Sequence, residues 1–161
     1  MPTIDNYTSQ RVDLDIIEKS IINILQKDGR SSASSIAEEI GMSIPAVTKK
    51  IKRLRDIGVI IGFSATINPR RVGLDVAALI TIISESSVHY TEVVKKAKKQ
   101  PEIVECFTTT GNGSHILIAQ TENTQTLEKL LRTIQGWPGV TRTETQIILT
   151  SYKSSEFIKI P

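Results

Sequence analysis

Five cations fall within seven residues, at Lys49, Lys50, Lys52, Arg53 and Arg55, with no acidic residue among them. Ammonium and guanidinium groups at this density suit one kind of chemistry, neutralising phosphate oxygens and donating to guanine acceptors. On a helix with Val47 as the reference direction, Ile51 and Leu54 lie within about 40° of it, while Lys49, Lys52 and Arg53 fall near the opposite side. The cations therefore point away from a core. A bare basic helix is more often a solvated face; the elements in front of this one favour a DNA-reading helix instead.

Those elements read as a three-helix unit. Apolar residues at 14, 17, 21, 22, 24 and 25 have helical spacing, and Gly29 is available as a left-handed C-terminal cap. Ser32 caps a second helix, Ala33–Ile40, closed by Gly41. Ser43 caps a third, with Pro45 tolerated in its first turn, running to about Ile57 before Gly58. The short Gly41, Met42, Ser43 connection fits a helix-turn-helix. In such a unit the N-terminal end of the third helix approaches base edges. Ser43, Pro45, Ala46, Thr48 and Lys49 are the candidates there: the Ala46 and Thr48 methyls suit thymine methyl groups, and Lys49 suits guanine acceptors. Lys50, Lys52 and Arg53 are placed for phosphates; Arg55 serves either there or as a structural ion-pair partner.

The rest of the chain changes pattern. Residues 59–68 are β-branched and alternate at Ile61, Phe63, Ala65 and Ile67, which predicts a linking strand. From Gly73 the order reads strand, helix, two strands around a glycine turn, helix, strand, the last from Val140 to Tyr152. This βαββαβ order predicts an α+β fold, a ferredoxin-like domain behind a winged-helix-like helix-turn-helix. The implied boundaries are an arm at 1–12, the DNA-binding domain at 13–58 with its motif at about 32–57, a linking strand at 59–72, the sheet domain at 73–152 and a tail at 153–161. An aliphatic sheet face left open to water calls for a partner subunit.

Composition excludes other classes. The chain has 161 residues, a formal charge of +3 and a single cysteine. One cysteine rules out a disulfide framework or thiolate-rich zinc site. The N-terminus has no apolar signal core and no run is long enough to span a bilayer, so a cytoplasmic protein without membrane contact is expected. The two halves, 1–68 and 69–161, carry 9 basic and 8 acidic against 11 and 9 residues, so only local charge is informative. A second cluster, Lys95, Lys96, Lys98 and Lys99, lies on a helix with no reading element nearby and reads as a solvated face, with contact to wrapped DNA as the lesser reading. His115 has no ligand-type neighbour, His89 lies near a helix start, Cys106 reads as an unactivated strand residue, and Trp137 packs at a turn or subunit contact. No metal site, cofactor or catalytic set emerges.

Several spaced motifs then agree in order: the Leu-Asp start at Leu14, the Asp-Gly-Arg turn at Asp28, the Gly-x-Ser turn at Gly41, the Lys-Arg-Leu helix end at Lys52, Gly-Val-Ile at Gly58 and Thr-Glu-Thr at Thr143. Over residues 13 to 152 the chain resembles the leucine-responsive/asparagine-regulator (Lrp/AsnC) family of bacterial and archaeal transcription factors. The resemblance implies a sequence-specific DNA-binding regulator of amino-acid metabolism. It implies a sheet domain that dimerises and senses amino acids, and homodimers that assemble into tetramers, octamers or larger rings on double-stranded promoter DNA. Glu18 stands where the family often has an acidic residue shortly after its first Asp. Family members often carry a Thr-Gly-Asp-Tyr-Asp loop whose acids help hold an effector; here the loop reads Thr110, Gly111, Asn112, Gly113, Ser114, so both acidic positions are neutral. Backbone around Gly111 and Gly113, with Asn112, Ser114, Thr143 and Thr145 as neighbours, remains a candidate cradle for an effector carboxylate, beside the plain reading of a glycine hairpin turn. The neutral loop also keeps open an effector-independent architectural DNA binder, and, in a different class, a small-molecule-binding module that does not read DNA.

Overall fold

The computed structural model describes residues 11–153 and 157–161, so the expected arm at 1–12 lies almost wholly outside the described residues. The chain divides into two compact units. One extends to Thr66 and also takes in the segment Lys153–Pro161; the other is Ile67–Tyr152.

The first unit contains α1 (Ile16–Lys27), α2 (Ala33–Ile40) and α3 (Ile44–Asp56). Helix α1 starts on a capping box: Asp15 Oδ1 accepts from Glu18 N at 2.7 Å, and Glu18 Oε2 accepts from Asp15 N at 3.2 Å. Ser32 Oγ accepts from Ser35 N at 3.1 Å to cap α2, and Gly41 ends that helix in the left-handed region at φ 68°. Ser43 occupies the N-cap of α3 without a side-chain hydrogen bond, and Pro45 lies in the first turn, where its missing N–H costs nothing. Ile21, Ile22, Ile36, Ala37, Val47 and Leu54 form the core of this unit, with Ile51 packed against it.

Two local expectations are corrected. Gly29 does not take positive φ, and α1 ends instead on extended Asp28. A Cβ on Gly29 would lie 3.4 Å from the Phe63 ring, at the edge of ordinary contact, so neither backbone conformation nor space demands glycine there. The linking strand at 59–68 is also not a strand. Ladder hydrogen bonds need a neighbouring edge, and among the described residues this segment has no ladder partner, so Ile61, Phe63 and Ile67 stay exposed.

The second unit contains β1 (Val76–Ser84), α4 (Tyr90–Lys99), β2 (Ile103–Thr108), β3 (His115–Thr121), α5 (Thr124–Gln135) and β4 (Val140–Ile147). The antiparallel sheet has the order β2-β3-β1-β4, the ferredoxin-like plan expected from the pattern. The last strand ends at Ile147 rather than Tyr152. Ala78, Ile80 and Ile82 on β1 and Leu117 and Ala119 on β3 pack with Val93 and Ala97 of α4 and Leu127, Leu130 and Ile134 of α5. Both helices therefore cover one face. Alternate residues such as Leu79 and Ile118 face the other side and are half-buried. Trp137 belongs to this same core.

Gly139 closes the α5–β4 turn at φ +77°, and a Cβ there would lie 2.4 Å from the His89 Cβ and 2.6 Å from its ring. Backbone conformation and space both demand glycine. Gly139→Ala is expected to destabilise the sheet unit by about 2–4 kcal/mol. Gly62→Ala, whose Cβ meets nothing within 4 Å, serves as the silent control in thermal unfolding.

Candidate functional site

The basic helix α3 carries two kinds of cation. Lys50 Nζ lies 2.6 Å from Asp15 Oδ2 and 3.8 Å from Glu18 Oε1. Arg53 Nη1 donates to Glu18 Oε1, whose residue is only 3% exposed. These two side chains, expected on phosphates from the sequence, tie α3 to the N-terminus of α1. The bond from Lys50, with a further bond from Glu18 N–H, holds the Asp15 carboxyl below its ordinary range. Lys49, Lys52 and Arg55 are exposed and make no ion pair among the described residues. The internal ion pair that the sequence offered to Arg55 is thus made by the half-exposed Arg53, and Arg55 makes none among the described residues.

Taking the helical repeat from Val47 as zero, Ile44, Pro45, Thr48, Lys49, Lys52 and Arg55 share an arc of about 140° on the open side, whereas Ala46 lies with Lys50 and Arg53 on the flank facing α1. Thr48 Oγ1 donates to Ile44 O at 2.9 Å, which fixes the rotamer of its side chain. Ser43 and Pro45 are exposed at the start of the helix. Ile44 joins the candidates on this arc, where the sequence alone did not single it out. It is 50% exposed, and the available signal was an apolar residue off the Val47–Ile51–Leu54 face. A groove of about 600 Å³ runs beside the helix, lined by Ala33, Thr48, Ile51, Lys52, Arg55 and Asp56 together with Ile60 and Ile61. The arc has what DNA contact needs: cations without ion-pair partners among the described residues and exposed apolar groups at the helix start.

The loop between β2 and β3 is built differently from a free cradle. Ser114 N donates to Ile82 O at 2.8 Å, and Thr109 Oγ1 donates to Gly113 O at 3.1 Å. The buried Ser114 hydroxyl lies 2.8 Å from Ser84 Oγ and 2.9 Å from His115 Nδ1. A Cβ on Gly113 would stand 2.3 Å from Thr81 Cγ2, so glycine lets the loop lie against β1. Of the six candidate effector residues, Gly111, at φ 105°, and Asn112 are exposed at the turn, while Gly113 and Ser114 serve the shape of the loop. Thr143 pairs opposite Ile82 and its hydroxyl accepts from Gln135 Nε2 at 3.1 Å; Thr145 pairs opposite Ile80 and is exposed. The register therefore brings the loop and Thr143 to one end of β1, about two strand spacings or 10 Å apart.

His115 is fully buried, with its ring edge-on to Tyr90 at 4.8 Å and Nε2 without a hydrogen-bond partner among the described residues; burial lowers its pKa below the ordinary histidine value. Burial likewise raises the Cys106 thiol, which fits a packed rather than reactive cysteine. Lys95 pairs with Glu92 at 3.0 Å on the exposed face of α4.

Comparison with known proteins gives this geometry its context. Residues 14–61 match the family model of a winged helix-turn-helix DNA-binding domain, and residues 76–157 match that of the Lrp/AsnC ligand-binding domain. The chain belongs to the Lrp/AsnC family. It is similar to the HTH-type transcriptional regulator FL11 of Pyrococcus furiosus, at 38% identity over 142 residues covering 88% of this chain and 93% of that protein. It is also similar to the regulatory protein AsnC of Haemophilus influenzae, at 33% identity over 83% of this chain and 90% of that protein. Among solved structures it resembles a feast or famine regulatory protein from M. tuberculosis complexed with L-methionine, with a TM-score of 0.86 and 31% identity over 92% of this chain and all of that one. The protein is an Lrp/AsnC-type DNA-binding transcriptional regulator rather than an enzyme, with a winged helix-turn-helix followed by an α+β domain.

Proposed function

We propose that the open arc of α3 reads operator DNA. Ile44, Pro45 and Thr48 present apolar groups to base edges, Lys49 donates to guanine acceptors, and Lys52 and Arg55 neutralise phosphates. The observation that carries this reading is the division of the cations: Lys50 and Arg53 are engaged with Asp15 and Glu18, and Lys49, Lys52 and Arg55 are not. Lys50 and Arg53 act by orienting α3 on α1, and Ser43 by starting the helix.

The protein works as a homodimer in this reading, with tetramers or octamers built from it, in the cytoplasm, on pseudo-palindromic double-stranded DNA. Support comes from apolar surface that a single chain leaves exposed, Ile61, Phe63 and Ile67, together with the half-buried second face of the sheet. The effector is a small amino acid or related molecule, and the regulated genes belong to amino-acid metabolism. The relative complexed with L-methionine supports the effector class. Here the ligand meets Gly111 and Asn112 at the turn, with the backbone of Gly113, and Ser114, Thr143 and Thr145 shape the surroundings. With no carboxylate in the loop, an ammonium group gains no charge partner there, so binding depends more on the ligand's carboxylate and side chain.

Thermal shift of the full chain against the twenty amino acids and the corresponding amines tests this. An amino acid at a hundred times its dissociation constant is expected to stabilise by about 2.7 kcal/mol, whereas the matching amine, lacking the carboxylate, gives no shift. Stabilisation by no amino acid at millimolar concentration would leave the architectural, effector-independent reading in its place.

A further inference from the structure

Ile158 and Ile160 touch the DNA-binding unit, one through its backbone and the other through a half-buried side chain. Gln26, one residue from the end of α1, exchanges two hydrogen bonds with a single backbone residue: Ile158 N donates to Gln26 Oε1 at 2.7 Å, and Gln26 Nε2 donates to Ile158 O at 3.1 Å. The side-chain amide takes the place of a strand edge, satisfying both polar groups of Ile158. Two residues on, Ile160 packs against the apolar cluster of the helical unit. Compact grouping places Lys153–Pro161 with this unit and Ile67–Tyr152 with the other. The family models match 14–61 and 76–157, so Ile158 and Ile160 lie outside both.

Three physical points give this contact weight. First, ordering a segment of chain costs conformational entropy, and a directional pair of bonds plus one half-buried aliphatic side chain, Ile160, is the kind of gain that offsets it. Second, the bonds fall on the C-terminal turn of α1, while Asp15 and Glu18 at its other end hold Lys50 and Arg53 of α3. Helix α1 is thus held at one end by Ile158 and at the other by α3. Third, the backbone passes between the units twice, at Thr66–Ile67 and at Tyr152–Lys153, and the second passage follows the last strand of the ligand-binding domain.

We propose that Phe157–Ile160 is a strap that completes the helix-turn-helix core, and that through it the end of the ligand-binding domain controls how firmly α1 supports α3. The strap's occupant is this chain's own segment Phe157–Ile160. Docked, it keeps α1 rigid and α3 in reading geometry; drawn away, it loosens the last turn of α1 and weakens DNA reading.

The test compares the full chain with a chain ending at Glu156, and with the full-length variants Gln26→Ala and Ile160→Asp. Amide hydrogen exchange is followed along α1 and the sheet, and affinity is measured for a selected genomic DNA fragment. All three changes are expected to speed exchange in the C-terminal turn of α1 about tenfold while β1 and β3 keep their protection, and to lower DNA affinity by about threefold to tenfold. Unchanged protection of α1 in the shortened chain overturns the strap. Faster exchange with unchanged affinity overturns its coupling to DNA reading, the only part that rests on the proposed role of α3.

Discussion

Replacing Lys49 and Lys52 together with alanine is expected to lower operator affinity by about 30- to 100-fold at 0.1 M salt and to reduce the salt slope by about one for each phosphate no longer neutralised. Both side chains project from the open arc of α3 and have no internal partner among the described residues, so the double variant should unfold at the same temperature as the parent. Electrophoretic shifts at three salt concentrations, with circular dichroism melting alongside, separate weaker DNA binding from an unfolded chain. Lys50→Ala is the informative comparison. Its ammonium is 2.6 Å from Asp15, so its removal should lower stability first and affect DNA only through α3 orientation. Equal affinity of the double variant and the parent would mean that α3 meets DNA through some other surface.

The second large effect concerns Glu18. Its carboxylate is almost fully buried, accepts from Arg53, lies 3.8 Å from Lys50 and also completes the capping box with Asp15. Glu18→Ala removes all of these at once and leaves Arg53 without its partner, while Lys50 keeps Asp15. A fully buried pair broken on one side costs about 3–5 kcal/mol; because Arg53 is half-exposed, about 2–3 kcal/mol is expected here, including about 1 kcal/mol for the missing cap. Glu18→Gln retains the reach and the acceptor for the box and should lose about half as much. Denaturant unfolding followed by fluorescence or circular dichroism reads the difference. A Glu18→Ala variant as stable as the parent would contradict the role given to this cluster.

How much of this is legible in the sequence follows from the range of each interaction. Caps and turns depend on neighbours a few residues away, and Ser32, Gly41 and Pro45 are legible for that reason. Gly29 misleads because a glycine just after a helix invites a left-handed turn, whereas here α1 ends one residue earlier on extended Asp28 and Gly29 keeps negative φ. The linking segment has the composition of a strand, but a strand also needs a partner edge, which composition does not supply. Lys50 and Arg53 look like phosphate ligands because their acidic partners lie 35 residues earlier. The spacing of Asp15 and Glu18 suits a capping box, yet nothing local shows that the same carboxylate also receives α3. The effector loop is visible as a glycine turn with neutral residues; that the Ser114 hydroxyl turns inward to Ser84 and His115 depends on strand register, which the loop's own residues do not encode. The docking of Ile158 on Gln26 spans 132 residues, and no local pattern anticipates it.

The central claim is that DNA meets the exposed arc of α3. Amide chemical-shift mapping of the full chain, titrated with a genomic fragment selected for binding, tests it most directly. The account predicts the largest shifts at residues 43–55, strongest at Ile44, Thr48, Lys49 and Lys52, with α4 nearly unchanged. Shifts centred on Lys95–Lys99 of α4, with residues 43–55 unmoved, would contradict it.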